Sequence, residues 1–192
     1  MTIRNYLKEG DVLCFRYYDG FFQKLIRLAN YLEFGKDGWT NGITHVAIVT
    51  GFSKNDKGEA CAIISEALET GITSSLYELW WLDARIKDKT CIVRRPIHDT
   101  YVISEHAKSY EGIPYDWASI IAIGYKILFK KRIFCYDYLI GKSKQFCMEF
   151  VLRILYDASN EGINLEEEFD MYFDEMMPHY IIISEQFKTL EV

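Results

Sequence analysis

Ile43-Thr44-His45-Val46-Ala47-Ile48-Val49-Thr50-Gly51 is rich in β-branched residues and closes on glycine, which predicts a strand. A polar turn at 53–58 leads into Ala60-Cys61-Ala62-Ile63-Ile64-Ser65-Glu66-Ala67, a second apolar run of similar length, and the two read as an antiparallel hairpin. In such a pair a residue near the start of the first strand lies beside one near the end of the second. His45 and Glu66 are therefore expected as neighbours.

Outward from the hairpin, Gly10-Asp11-Val12-Leu13-Cys14-Phe15-Arg16 opens with a turn pair and runs on as an apolar strand, with Asp11 in a structural turn role. Phe21, Phe22, Leu25, Ile26, Leu28 and Ala29 recur at helical spacing. That helix is expected to stop near Gly35, with a Gly/Asp/Asn loop over 35–42 that borders a groove. Beyond the hairpin, 71–75 reads as extended, 76–82 with its two tryptophans as a helical turn, and 90–96 as a strand ended by Pro96. Helices are expected over 101–110 and 119–129, with a turn at 112–117 between them. The C-terminal part predicts an acidic helix over 165–177, whose Glu166-Glu167-Glu168 run is a solvated face, and then an edge strand at 180–183.

With 192 residues, 49% of them apolar and 16% aromatic, the chain has the material for one domain with a real core. Neither a repeat nor a linker divides it, so 1–192 reads as a single domain with 165–192 as a helical and extended extension. A net charge of −6 and scattered basic residues, clustered only at 130–132 and at Lys142 and Lys144, leave no phosphate-neutralising stripe. Nucleic acid is not the expected partner. The N-terminus lacks the apolar segment of a secretory signal, and the longest apolar run, 117–129, contains Lys126 and falls short of the ~20 residues a bilayer requires. A cytoplasmic protein without a transmembrane segment is expected. Cys14, Cys61, Cys91, Cys135 and Cys147 form no C-x-x-C pair and have no His at metal spacing, so they read as reduced thiols, without metal or cofactor.

One cysteine stands apart. In Gln145-Phe146-Cys147-Met148-Glu149-Phe150-Val151, the apolar positions 146, 150, 151, 154, 155 and 158 lay a stripe along a helix that ends near 157–160. Cys147 sits at its start, where free backbone N–H groups favour a thiolate and can receive an oxyanion. A thiol at a helix start, an imidazole on a strand and a carboxylate on the neighbouring strand are the parts of Cys-based acyl transfer. Cys147, His45 and Glu66 are the candidates. Glu69 is a competing acid, though strand alternation puts it on the opposite face from Glu66. His98, His106 and His179 have no such pattern and are assigned to surface or packing.

Taken in order, Gly10-Asp11-Val12, Thr44-His45-Val46-Ala47-Ile48-Val49, Ser65-Glu66-Ala67, Tyr110-Glu111-Gly112-Ile113-Pro114-Tyr115-Asp116-Trp117 and Cys147-Met148-Glu149-Phe150-Val151 resemble the permuted NlpC/P60 cysteine hydrolases of the YiiX/YebB-like type. In the ordinary order the G-x-P-Y-x-W segment and the Cys helix precede the His strand, whereas here they follow it. The resemblance, over about residues 10–155, implies an α+β, circularly permuted papain-like fold, an antiparallel sheet with helices packed against it. It implies Cys147 as nucleophile, His45 as general base and acid, Glu66 as the residue orienting the imidazole, and the Tyr115 hydroxyl as partner of the Cys147 N–H in holding the oxyanion. Met148 stands where the family often has a small residue after the Cys, and Phe146 where many members have Asp, so the site is more apolar.

The expected activity is thiol-dependent hydrolysis or transfer at an amide or ester carbonyl, with a peptide-like amide as first substrate class. A lipid acyl hydrolase or acyltransferase of the lecithin:retinol acyltransferase-like type is the alternative, with Trp80, Trp81, Phe21, Phe22 and Met148 lining an acyl channel. A non-catalytic binding module on the same fold is the third reading. The role of the acidic C-terminal segment is left open by the sequence, a lid over the site being one reading of it.

Overall fold

The structure, a computed structural model, describes residues 6–16, 20–129, 144–160 and 162–190. The side chains of Phe21, Phe22, Trp39 and Asn41 fall outside that description, as do Cys135 and the basic residues at 130–132 and 142. Six strands form the sheet: β1 Val12–Phe15, β2 His45–Lys54, β3 Ala60–Leu68, β4 Gly71–Glu78, β5 Cys91–Pro96 and β6 Phe187–Thr189. Their order is β4-β3-β2-β1-β5-β6, and every neighbouring pair is antiparallel. The fold is α+β.

The hairpin β2–β3 forms because its turn is chemically specified. Asn55 Oδ1 accepts the N–H groups of Lys57 and Glu59, each at 3.0 Å, and Gly58 takes a left-handed φ of 79° at the corner. At the far end, Gly71 opens β4 opposite Leu68 with φ 112°, and a Cβ there would sit 2.8 Å from the Ile113 carbonyl oxygen. Glycine is needed at that position. The close approach lets the Ile72 N–H bond Ile113 O at 2.9 Å and the Gly112 N–H bond Ile72 O at 3.0 Å, which ties residues 112–113 to β4.

Alternation divides the core into two layers. Val46 and Ile48 of β2 face the layer that contains α5 Cys147–Ala158, while Ala47 and Val49 face α2 Leu79–Lys87 together with Leu13, Phe15, Ala62, Ile64 and Leu82. Phe150, Val151, Ile154 and Leu155 of α5 are each 0% exposed. Burying side chains of this size stabilises the fold by about 1.5–3 kcal/mol apiece. On the α5 side lie also α1 Phe21–Asn41, α3 Ile103–Ser109 and α4 Trp117–Phe129, with α1 packed on α4 and α3 on α5. Asp11, 1% exposed, accepts from Arg95 Nε and Nη2 at 2.7 Å each and from the Lys8 N–H at 2.8 Å, locking the entry of β1 to β5. Its place is structural.

Five expectations are corrected. The helix from 21 does not stop at Gly35; it breaks there, at φ 63° and ψ −139°, and resumes. The loop expected over 35–42 is a second helical piece that ends on the left-handed Gly42, whose N–H bonds Gly38 O at 3.1 Å. Residues 76–78 belong to β4, and the helical turn expected at 76–82 starts only at Leu79 and runs on to Lys87. The acidic helix expected over 165–177 is only α6 Leu165–Phe169, closed by Asp170 at φ 50° and followed by a 3-10 turn at Phe173–Glu175. Finally, 180–183 lies in a helix, α7 His179–Ile183, entered through Pro178, and the edge strand is β6 instead.

The C-terminal stretch is part of the core rather than a lid. Phe173, Met176, Ile181 and Phe187 are buried in the α5 layer. Arg94 of β5 donates to the carbonyls of Ser184 and Phe187 at 2.8 and 2.7 Å and to Thr189 Oγ1 at 2.7 Å. Through β6 it lies on the opposite side of the sheet from β3 and β4.

Candidate active site

The β2–β3 ladder runs from Lys54–Ala60 to Ile48–Ser65, and both strands extend past that last rung, β2 back to His45 and β3 on to Leu68. The start of α5 meets β2 beyond the rung. Phe146 caps the helix in an extended conformation, φ −99° and ψ 171°, so that Cys147 is its first residue. The N–H groups of that first turn have no intrahelical partner, and their partial positive charge falls on the thiol. The Cys147 sulfur is hydrogen-bonded to the His45 ring and the Tyr115 hydroxyl and receives the Val46 backbone N–H.

His45, the first residue of β2, presents Nε2 to Glu66 Oε2 at 2.8 Å. Its other nitrogen, Nδ1, is the one left to face the thiol. The ring also stacks on Phe15, with centroids 6.2 Å apart and planes at 26°. Glu66 uses its second oxygen as well: Oε1 accepts from the Tyr77 hydroxyl at 2.6 Å. Cys147, His45 and Glu66 are 1%, 8% and 3% exposed, so the whole chain of bonds lies in a low-dielectric interior where each is strengthened. Glu69, at the exposed β3–β4 turn, is not the partner of His45.

Tyr115 is delivered by backbone pairing. It forms a parallel bridge with Gln145, in which the Gln145 N–H bonds Pro114 O at 3.1 Å and the Asp116 N–H bonds Gln145 O at 3.2 Å. This holds its hydroxyl against both the backbone N–H and the thiol of Cys147. Asp116 then caps α4, accepting from Ser119 N–H at 3.1 Å and Ser119 Oγ at 2.6 Å. The G-x-P-Y-x-W segment is thereby anchored at three points: β4, the Cys helix and α4.

The electrostatics follow from these contacts. Burial alone would push the Cys147 thiol up, but the His45 ring, the Val46 N–H and the Tyr115 hydroxyl outweigh it and hold the thiol below its ordinary value. Burial would lower His45, yet its bonds to Cys147 and Glu66 raise it to about 10. Glu66 resists its own burial penalty through His45 and Tyr77 and stays below the usual carboxylate range. The contacts act in one direction on all three groups, toward the thiolate of Cys147, the imidazolium of His45 and the carboxylate of Glu66. Glu149 in the first turn of α5 is clamped by Arg153 at 2.8–2.9 Å, and burial lifts its carboxyl to about 7.

Other candidates fall elsewhere. Met148 is 0% exposed in the core, Trp80 is 65% exposed at the surface, and Trp81 packs between Tyr77 and Phe15, so these three do not line one channel. The Phe21 and Phe22 side chains lie outside the described residues. An apolar groove of ≈ 260 Å³ does exist, between α1 and α4, lined by residues such as Leu25, Leu32, Ile121 and Leu128. Its helical spacing was visible in the chain, but its location was not. His179 is buried against Phe34 with ring centroids 4.5 Å apart, and His98 is exposed. Among the described residues no cluster of His, Cys, Asp or Glu is arranged to hold a metal ion, and Cys14, Cys61, Cys91 and Cys147 are free thiols. Nor is any helix among them long and apolar enough to cross a membrane. Phe15, Tyr77 and the Val46 N–H were missed in the sequence, where nothing separates Tyr77 from the other tyrosines. Compared with protein-family models, curated proteins and solved structures, the chain matches none.

Proposed function

We propose that this chain is a cysteine hydrolase on a circularly permuted papain-like fold of the NlpC/P60 type, acting on a peptide-like amide through an acyl-enzyme. The observation that carries the reading is the continuous series of hydrogen bonds from Cys147 at a helix start, through His45, to Glu66. The order of parts along the chain, His strand first and Cys helix last, supports the permuted form.

In the proposed reaction the Cys147 thiolate attacks the carbonyl carbon, and the carbonyl π electrons move onto oxygen. The oxyanion takes the Cys147 N–H and the Tyr115 O–H, two donors that in the resting site are turned on each other and on the sulfur. His45 gives its proton to the leaving nitrogen, the C–N bond breaks, and a thioester remains. Water then enters, His45 takes its proton, the hydroxide carbon bond forms and the thiolate leaves. Glu66 stays ionised throughout, fixing the imidazole orientation and supporting its charge.

The apolar groove between α1 and α4 favours a second reading, transfer or hydrolysis of a lipid acyl ester. One experiment addresses both. The protein is mixed with activated peptide amides and with lipid esters, and the Cys147 peptide is searched for an acyl adduct by mass spectrometry. An adduct from amides, absent in Cys147→Ala, is expected; an adduct from lipid esters alone moves the reading to the second class. Turnover that survives Cys147→Ala overturns the thiol mechanism, and no adduct from either class overturns the enzyme and leaves the binding module.

A further inference from the structure

A buried carboxylate has two oxygens to satisfy, and a catalytic imidazole occupies only one. Glu66, 3% exposed, gives Oε2 to His45 at 2.8 Å and Oε1 to the Tyr77 hydroxyl at 2.6 Å. Tyr77 is not a chance neighbour in sequence or in register. It pairs with Ala62 on β3, while Glu66 pairs with Thr73, so the phenol reaches along the sheet face, past the Ile64–Ser75 rung, to meet the carboxylate. Ala62, Ile64 and Glu66 share that face by alternation.

What holds the phenol there is a second set of contacts. Trp81 of α2 packs on the Tyr77 ring with centroids 5.3 Å apart, and its own ring carries the Arg85 guanidinium at 4.9 Å. Trp81 also packs on Phe15 at 6.3 Å, and Phe15 stacks on His45 at 6.2 Å. The contacts close on themselves: His45, Glu66, Tyr77, Trp81, Phe15 and back to His45. Hydrogen bonds fix one side of the imidazole and aromatic rings its plane.

We infer that Tyr77 is a positioning residue of the active site, acting on His45 through Glu66, and that the Trp81–Phe15 pair fixes both Tyr77 and the imidazole. The inference rests on the proposed Cys-His-Glu chemistry. Its physical content is that the Tyr77 O–H keeps Glu66 ionised and aimed at Nε2. Without it, one oxygen of a buried carboxylate loses its donor, the carboxyl takes a proton at higher pH, and His45 loses its support as the solution is acidified.

The test is the rate of Cys147 alkylation by a small reagent against pH, in the parent, Tyr77→Phe, Glu66→Gln and the double variant, with His45→Ala as control. Tyr77→Phe keeps the ring on Trp81 and removes only the oxygen. At pH 5 it is expected to slow labelling roughly 3- to 10-fold and to move the acid limb of the profile to higher pH. In the Glu66→Gln background the same change is expected to do nothing further, which a merely structural role for the phenol does not predict. If His45→Ala collapses the parent profile but Tyr77→Phe leaves it superimposable, this inference fails and the enzyme reading stands. Equal slowing by Tyr77→Phe with and without Glu66 also overturns it. If the parent labels as an ordinary thiol and His45→Ala changes nothing, the reading beneath it fails first. Should Tyr77→Phe not fold, Trp81→Leu, which keeps the hydroxyl but removes its support, is expected to shift the limb in the same direction, and an unmoved limb overturns the inference.

Discussion

Cys14 and Cys147 are 0% and 1% exposed in the same core layer, one on a central strand and the other at a helix start. Burial pushes Cys14 up to about 12, and Arg94 nearby does not offset it. Cys91 on β5 is also driven well above its ordinary value by burial. Cys147 suffers the same burial and moves the other way, because an imidazole, a phenol and a backbone N–H all face its sulfur. Burial makes a thiol inert unless donors are built around it. What separates the two is therefore not exposure but partners, and each partner of Cys147 is a place where the difference can be broken.

Removing the imidazole has the largest expected effect. His45→Ala should reduce acyl-enzyme formation on the order of 10⁴-fold, since base and charge partner are lost together, and a smaller loss seen in single-turnover kinetics would deny His45 that role. Tyr115→Phe removes one oxyanion donor, and about a 100-fold fall in the acylation rate is expected, with little change in substrate binding. Cys14→Ala should leave acylation unchanged and cost about 1–2 kcal/mol in denaturant unfolding, the price of a small buried side chain. A Cys14 variant that lost activity at full stability would erase the contrast.

Much of the site was legible because hairpin arithmetic needs only strand period and turn chemistry. Asn55 to Gly58 specifies the turn, which brings the start of β2 near the end of β3, but the bulge between Val49 and Gly51, which that arithmetic does not include, is what turns His45 and Glu66 onto one face. The α5 stripe was legible for the same reason: a strong apolar period in Phe150, Val151, Ile154 and Leu155. Other parts depend on distant contacts. Tyr180-Ile181-Ile182-Ile183 is a short apolar run whose period fits strand or helix, and burial of Ile181 in the α5 layer together with Pro178 at the entrance selects the helix. At Gly35 the sequence shows a break but not that the chain resumes as helix, because that depends on Gly38 approaching the Asn30 carbonyl, where a Cβ would lie 2.1 Å away. Tyr77 on β4 reaches Glu66 on β3 along a diagonal of the pair, a contact no local pattern encodes.

The most direct measurement compares the two thiols within one sample: alkylation rate against pH, read separately on the Cys14 and Cys147 peptides, with His45→Ala alongside. A lowered thiol and an imidazole raised to about 10 define a window in which the charged pair persists. As pH falls through the lowered value of Cys147 the thiolate is lost, and as pH rises through about 10 the imidazolium is lost. The account predicts Cys147 labelling that is already fast well below the ordinary thiol value of about 8.5 and collapses in His45→Ala, with Cys14 silent throughout. Labelling of Cys147 that rises only above about 8.5 and is the same in both proteins would contradict it.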